Sequence, residues 1–213
     1  MDRSLDSDDE SRRTVATLPL VGGHIALDFA NTAGWHAGPE HNRVEHLHDY
    51  ADVIAWSLHV TVLSPKQATV LLRTANQEPA AAREALTKAR TWREAIYRVF
   101  AATTHPRTPA AADLDAIWQG RIRALRAGTP TWSRHAMTVA WPEKPHDLLR
   151  PLYPVLIAAA ELLESGQLDR LRQCGNDPCG WLFLDRTKNR SRRWCSTAEC
   201  GNLTRVRRFR ARQ

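Results

Sequence analysis

Apolar positions along most of the chain recur with a helical period. Ile25-Ala-Leu-Asp-Phe-Ala30 follows Gly22-Gly23 and reads as the first helix, with order beginning near Leu18-Pro19-Leu20. Val44, Leu47, Ala51, Ile54 and Leu58 keep 3-4 spacing and define one apolar stripe. Ser64-Pro65-Lys66-Gln67 is a helix start, with Ser as N-cap, Pro at the first helical position and Gln closing a capping box. That helix is predicted to run to about Asn76. Ala85, Ala89, Trp92, Ile96, Val99 and Thr103 share one face of a longer helix. His105-Pro106 ends it, because a residue before proline resists helical geometry. Pro109 restarts a helix through Leu114, Ile117 and Trp118.

The pattern changes over residues 122–141. Gly128-Thr129-Pro130 predicts a turn. Residues 131–141 are β-rich with partial alternation and predict a hairpin closed by Pro142 and Pro145. Leu152, Val155, Leu156, Ala159 and Leu163 return to helical spacing, and Gly166 is a natural residue to follow a helix end. Residues 1–16 carry Asp6, Asp8, Asp9 and Glu10 among Ser and Arg, and read as a disordered tail.

Composition adds little until the charge is placed. Apolar residues make up 43% of the chain, enough for a core, and most of the eight Trp residues are expected to pack in it or at its edge. No stretch has the length of a membrane span, and residues 1–13 lack the apolar centre of an export signal, so the expected location is cytoplasmic. Of the net charge of +7, residues 170–213 contribute +9, with 12 Lys/Arg against Asp177, Asp185 and Glu199. Residues 1–169 sum to −2. Positive charge gathered at one end points to a polyanion partner.

All four cysteines share that end, as Cys174, Cys179, Cys195 and Cys200 with spacing C-x4-C-x15-C-x4-C. Two close pairs separated by a hairpin-length segment suit one tetrahedral Zn2+ held by thiolates. An Fe–S cluster is the competing metal reading. Four thiolates leave zinc no open position for water, which argues for a structural ion. Gly180 and Gly201 follow the second cysteine of each pair and are expected to make tight turns. Between the pairs, residues 181–185, 187–190 and 193–194 read as strand, turn, strand, with Trp181, Phe183 and Trp194 beside the metal. A basic helix is expected after Cys200, anchored by Leu203, Val206 and Phe209. A module this small needs its metal to fold.

These residues resemble a known family. Leu171-Arg-Gln-Cys174, Cys179-Gly-Trp-Leu-Phe-Leu-Asp185, Asn189-Arg-Ser-Arg-Arg-Trp-Cys-Ser196 and Cys200-Gly-Asn202 are similar to the CGNR zinc finger. Gly22-Gly23 and Leu27-Asp-Phe-Ala-Asn-Thr32 resemble the opening of the ABATE domain that precedes it. The resemblance implies a bacterial, stress-induced transcription regulator. It further implies the four cysteines as zinc ligands, a DNA-binding finger, and an N-terminal domain that senses a small-molecule effector. The chain departs from the family at Leu203, where the motif ends in Arg.

The expected fold class is therefore α+β. A disordered tail (1–16) precedes a mostly helical domain with a small β-hairpin (17–166). A zinc-bound β-hairpin and helix module, treble-clef-like or ribbon-like, follows (167–213). The expected function is DNA binding by a transcription regulator with one structural Zn2+, acting without a membrane and as a homodimer. Arg186, Lys188, Arg190, Arg192, Arg193, Arg205, Arg207, Arg208, Arg210 and Arg212 are the nucleic-acid-binding candidates. Asp28, Asn31 and Thr32 are candidates for a ligand pocket, against the alternative that they cap or join helix ends. His36, His41, His46 and His48 lack the H-E-x-x-H pattern and are read as surface or helix-edge residues rather than a second metal site. Trp35, Trp56, Trp92 and Trp118 are assigned to the core. No nucleophile–base pair suggests an enzyme. The alternative function is an RNA- or protein-docking zinc module on a ligand-binding or enzymatic domain.

Overall fold

The computed structural model describes residues 14–38, 43–105, 107–144 and 146–211. Helices dominate the first 165 residues: α1 (Ile25–Ala30), α2 (Tyr50–His59), α3 (Pro65–Gln77), α4 (Pro79–Thr103), α5 (Ala111–Ala127) and α6 (Tyr153–Glu164). Small antiparallel pairs punctuate them: β1 (Ala33–Gly34) with β2 (Val44–Glu45), and β3 (Thr129–Ser133) with β4 (Ala136–Ala140). β5 (Leu171–Gln173) pairs with β6 (Leu182–Leu184), and α7 (Asn202–Arg210) ends the described chain. No helix among the described residues is long and apolar enough to cross a membrane.

Local chemistry sets most helix starts. Ser64 accepts from the Gln67 amide and Gln67 answers on the Ser64 amide, the reciprocal pair the sequence predicts. Asp49 and Asp52 make the same arrangement before α2. That cap corrects the stripe drawn from Val44: Leu47 is fully buried, but it lies in extended chain ahead of the helix. Chain order also starts earlier than Leu18. Val15 sits in a 3-10 turn, 2% exposed, so the expected tail does not extend to residue 16; residues 1–13 lie outside the described set.

The hairpin needs a further correction. α5 continues through Ala127, and Thr129 and Pro130 are paired strand residues rather than a turn. The turn is Arg134-His135, both at positive φ (49° and 63°), the backbone that a two-residue hairpin loop requires.

A single core runs through the molecule. Trp56, Phe29, Phe100, Ile96, Leu156 and Phe183 are all buried within it, and Phe29 and Trp56 lie 4.9 Å apart, tilted by 56°. Of the four tryptophans assigned to the core, Trp56 and Trp92 are there, Trp35 is half-buried and Trp118 is exposed. Short α1 is the hub: it packs on α4, on α6 and, through the same cluster, on β6. The helical part and the cysteine-bearing segment therefore share apolar volume.

Candidate metal centre and basic face

β5 and β6 carry the first cysteine pair at their joined ends. Cys174 extends the ladder by donating its amide to the Trp181 carbonyl (2.8 Å), and the Cys179 amide closes a turn on the Asn176 carbonyl (2.8 Å). The hairpin thus spans the first pair, not the segment between pairs; residues 193–194 are not a strand. Gly180 has φ +69°, as its position suggests, and a Cβ there would lie 2.6 Å from the Ala37 amide nitrogen. Gly201 instead has helical φ −65°, so the expected second tight turn is absent.

The second pair straddles a helix start. Ser196 N-caps a single π-helical turn, Thr197–Gly201, by accepting from the Glu199 amide, and α7 follows directly. Cys195 precedes the cap and Cys200 lies in that turn. A knuckle on a hairpin facing a helix start is the treble-clef-like form of the two arrangements expected.

The four sulfurs lie within 4.8 Å of one another and all four residues are buried. Cys179 and Cys195 Sγ are 3.8 Å apart, Cys195 and Cys200 Sγ 3.5 Å. Four thiolates about 2.3 Å from one zinc sit about 3.8 Å from each other, so the donor set has the size and softness that zinc takes. Contact with Cys174, then with Cys200, and lastly burial push the Cys179 and Cys195 thiols up. A dication at the centre is what lets all four ionise together. The Cys195 amide donates to Cys174 Sγ (3.4 Å), stabilising a charged sulfur.

Around this centre lie residues that sequence reasoning left without a role. Asp185 is fully buried. Against the cost of burial, donors from Thr187 (amide 2.9 Å, hydroxyl 2.6 Å) and the Arg192 amide (2.9 Å) hold its carboxyl below the usual range. An acid followed two residues later by Thr, inside a strongly basic stretch, was the available signal. Asn176, 5% exposed, ties the knuckle to α7 by accepting from Thr204 and Arg207 (3.2 Å each). Tyr97 of α4 donates to the Gly180 carbonyl (3.0 Å).

The ten basic candidates divide by what they touch. Arg192 is a brace: its guanidinium donates to the carbonyls of Trp194 and Val21 (3.0 Å each) and of Cys195, and lies 4.2 Å over the Phe183 ring. Arg190 pairs with Asp169 (2.6 Å), Arg186 donates to Gly23 O (2.8 Å), and Arg207 reaches Asp177 O and Asn176. Arg205 bonds Asn202 within its own helix (3.2 Å). Lys188, Arg193, Arg208 and Arg210 are exposed. Arg212 lies outside the described residues. Val206 (46% exposed) and Phe209 (65%) do not anchor α7; of the three expected anchors Leu203 alone is half-buried.

Asn31 and Thr32 are buried and hydrogen-bonded. Asn31 accepts from the Leu182 amide and donates to its carbonyl (2.9 Å each), and Thr32 donates to Phe29 O (2.8 Å). They join helix end to finger. Asp28 accepts from the Gly22 amide (2.8 Å), and burial raises its carboxyl to about 6. Its proton is therefore held more tightly in the folded than in the unfolded chain. Stability from this group is full below about pH 4, falls as pH rises through 6, and is level above; the span is at most about 3 kcal/mol. Asp28→Asn should flatten the wild-type decline between pH 4 and 6, measured by urea unfolding at fixed pH. An unchanged slope in the variant would refute the assignment.

His36 is buried, stacked on Tyr97 (3.6 Å) and 3.7 Å from Glu94. His46 is buried and His48 exposed, so the surface reading fails for His36 and His46; His41 lies outside the described residues. No metal-binding cluster forms around them among the described residues.

Fold and site together define a helical domain fused to a four-cysteine structural zinc module. The family of CGNR zinc fingers matches residues 170–213, and the ABATE family, described as "putative stress-induced transcription regulator", matches residues 23–166. The chain belongs to the ABATE family and ends in a CGNR zinc finger. Among curated proteins none matches it.

Proposed function

We propose that the protein is a cytoplasmic transcription regulator that binds duplex DNA through its zinc-organised C-terminal face and answers to a small-molecule effector in its helical part. The observation that supports this is the pairing of a buried four-sulfur centre with exposed cations on both sides of it, at residues 186–193 and along α7. Cations on a rigid support neutralise phosphates with little ordering cost. Two copies joined through the helical part would offer two such faces to paired half-sites. Arg192 belongs to the support and not to the contact.

Neutralising about five phosphates gives log K against log salt a slope near −4 to −5. Arg208→Ala should reduce that slope by about one while leaving the fold intact. Anisotropy titrations of the zinc-loaded protein with duplex DNA and with structured RNA, over a salt series, provide the check. Salt-independent binding sinks the reading, and tighter binding to RNA moves it to the RNA-docking alternative. Cys174→Ser should abolish binding to either.

A further inference from the structure

The helical part contains a cleft that the DNA-binding reading leaves unused. It opens between α4, α5 and the segment leading into α6, with a volume of about 950 Å3. A second hollow of about 150 Å3 adjoins it, sharing Lys88, Arg123, His146 and Asp147. Ligand clefts for small organic molecules span about 300–1,000 Å3.

Its lining combines the edges of two largely buried aromatic residues with positive charge. Trp92 and Tyr153 contribute rings, and Lys88, Arg123, Arg126 and Lys144 contribute cations against Asp115 and Asp147. Arg123 and Asp147 meet at the Tyr153 hydroxyl, but no acid lies within ion-pair distance of a cleft cation among the described residues. Asp147 accepts from that hydroxyl (3.0 Å), and Asp115 accepts from Gln119 (3.2 Å). The cleft thus gathers cations in a part of the chain, residues 1–169, whose total charge is −2.

Trp92 supplies a second observation. The residue is 7% exposed, but its indole nitrogen is not among the fully buried polar atoms, and no group among the described residues accepts its N–H, so that N–H is open to the cleft. That nitrogen lies against Gly120 in the cleft wall, 3.2 Å from where a Cβ would stand. A glycine in mid-helix costs about 1 kcal/mol relative to alanine. Here it allows α5 to close on Leu156 of α6, where a Cβ would meet Cδ2 at 2.7 Å, and leaves the indole edge uncovered.

We propose that this cleft binds a small organic anion with a flat apolar body. The ring lies along Trp92 and Tyr153, an acceptor on the ligand takes the Trp92 N–H, and Arg123 and Arg126 with Lys88 or Lys144 hold a carboxylate or phosphate. This gives the effector of the proposed regulator a place and a chemical class; binding is measured without DNA, so its failure is distinct from failure of the DNA reading.

The test uses the zinc-loaded full chain labelled with 5-fluorotryptophan, the Trp92 resonance being assigned with Trp92→Phe. The probes are 1-naphthoate, 1-naphthyl phosphate, neutral 1-naphthylmethanol and inorganic phosphate. Saturable movement of the Trp92 signal is expected with one or both organic anions, binding at least about tenfold tighter than the alcohol and inorganic phosphate. Preference between naphthoate and naphthyl phosphate identifies the anionic group. Arg123→Gln with Arg126→Gln should weaken binding about tenfold, and so should Ala116→Glu, which puts negative charge on the cleft wall at a half-buried helical site. The proposal is overturned by equal binding of the alcohol, by equal binding of inorganic phosphate, by anion binding indifferent to Ala116→Glu, or by a Trp92 signal that no probe moves.

Discussion

Stripping the metal, or replacing Cys195 with Ser, is expected to lower the melting temperature of the entire chain rather than unfold its last forty residues alone. Cys195 Sγ lies 3.8 Å and 3.5 Å from two other sulfurs, and its amide supports the third. A structural zinc of this kind contributes about 10–16 kcal/mol to the fold it organises. Leu182, Phe183 and Leu184 between the cysteine pairs are each at most 2% exposed, inside the same core as Phe29 and Leu156. When the knuckle opens, those side chains leave that core and α1 loses one of its walls. Losing even about 5 kcal/mol in a chain this long lowers the midpoint by about 10–20 °C. Calorimetry with and without chelator reads the shift, and amide exchange in Ile25–Ala30 locates it. A helical part that melts at the same temperature without metal would show that the shared core carries little of the stability.

Asn31→Ala is the second large effect. Both polar atoms of the side chain bond the backbone of Leu182, and residue 31 is 3% exposed. Truncation leaves a buried amide and a buried carbonyl without partners, at about 1–3 kcal/mol each. The expected loss is about 2–5 kcal/mol in denaturant unfolding, with faster exchange at the Leu182 amide. Asn202→Ala removes two exposed bonds, its own to Ala198 O and that from Arg205, and should change stability by less than about 0.5 kcal/mol. A loss in Asn31→Ala as small as in that control would mean that the two segments do not depend on each other through this pair.

The two effects concern one contact between distant parts of the sequence, and the sequence shows only one side of it. Cysteine spacing reveals the ion because coordination is a local requirement: four thiolates must reach one point, so their intervals are constrained. Nothing local marks Asn31 as the partner of Leu182. Its alternative reading, an amide joining a helix end, was open from the start, but the identity of what it joins depends on β6 arriving 151 residues later. The bracing contacts of Arg192 are hidden for the same reason. In a row of arginines each looks alike, and only the fold puts one guanidinium over Phe183 and against three carbonyls.

The misplaced elements follow a related logic. Val44 and Leu47 satisfy helical spacing, yet Asp49 and Asp52 form a stronger local start and leave Leu47 to be buried from extended chain. Val206 and Phe209 fit an anchoring stripe, but α7 meets the knuckle through Leu203, Thr204 and Arg207 instead, and both remain exposed.

By itself, then, the sequence determined what neighbours along the chain can decide: caps at Ser64, the left-handed turn at Gly180, the four-sulfur donor set, and the concentration of positive charge near it. These rest on side-chain chemistry acting over a few residues, or on covalent spacing. The tertiary structure alone decided that the finger is built into the helical core, which arginines are supports, and that cations and an unpaired indole N–H meet in one cleft. Burial and pairing between remote segments set those outcomes, because the free energy of a buried polar group depends on what the fold brings to it.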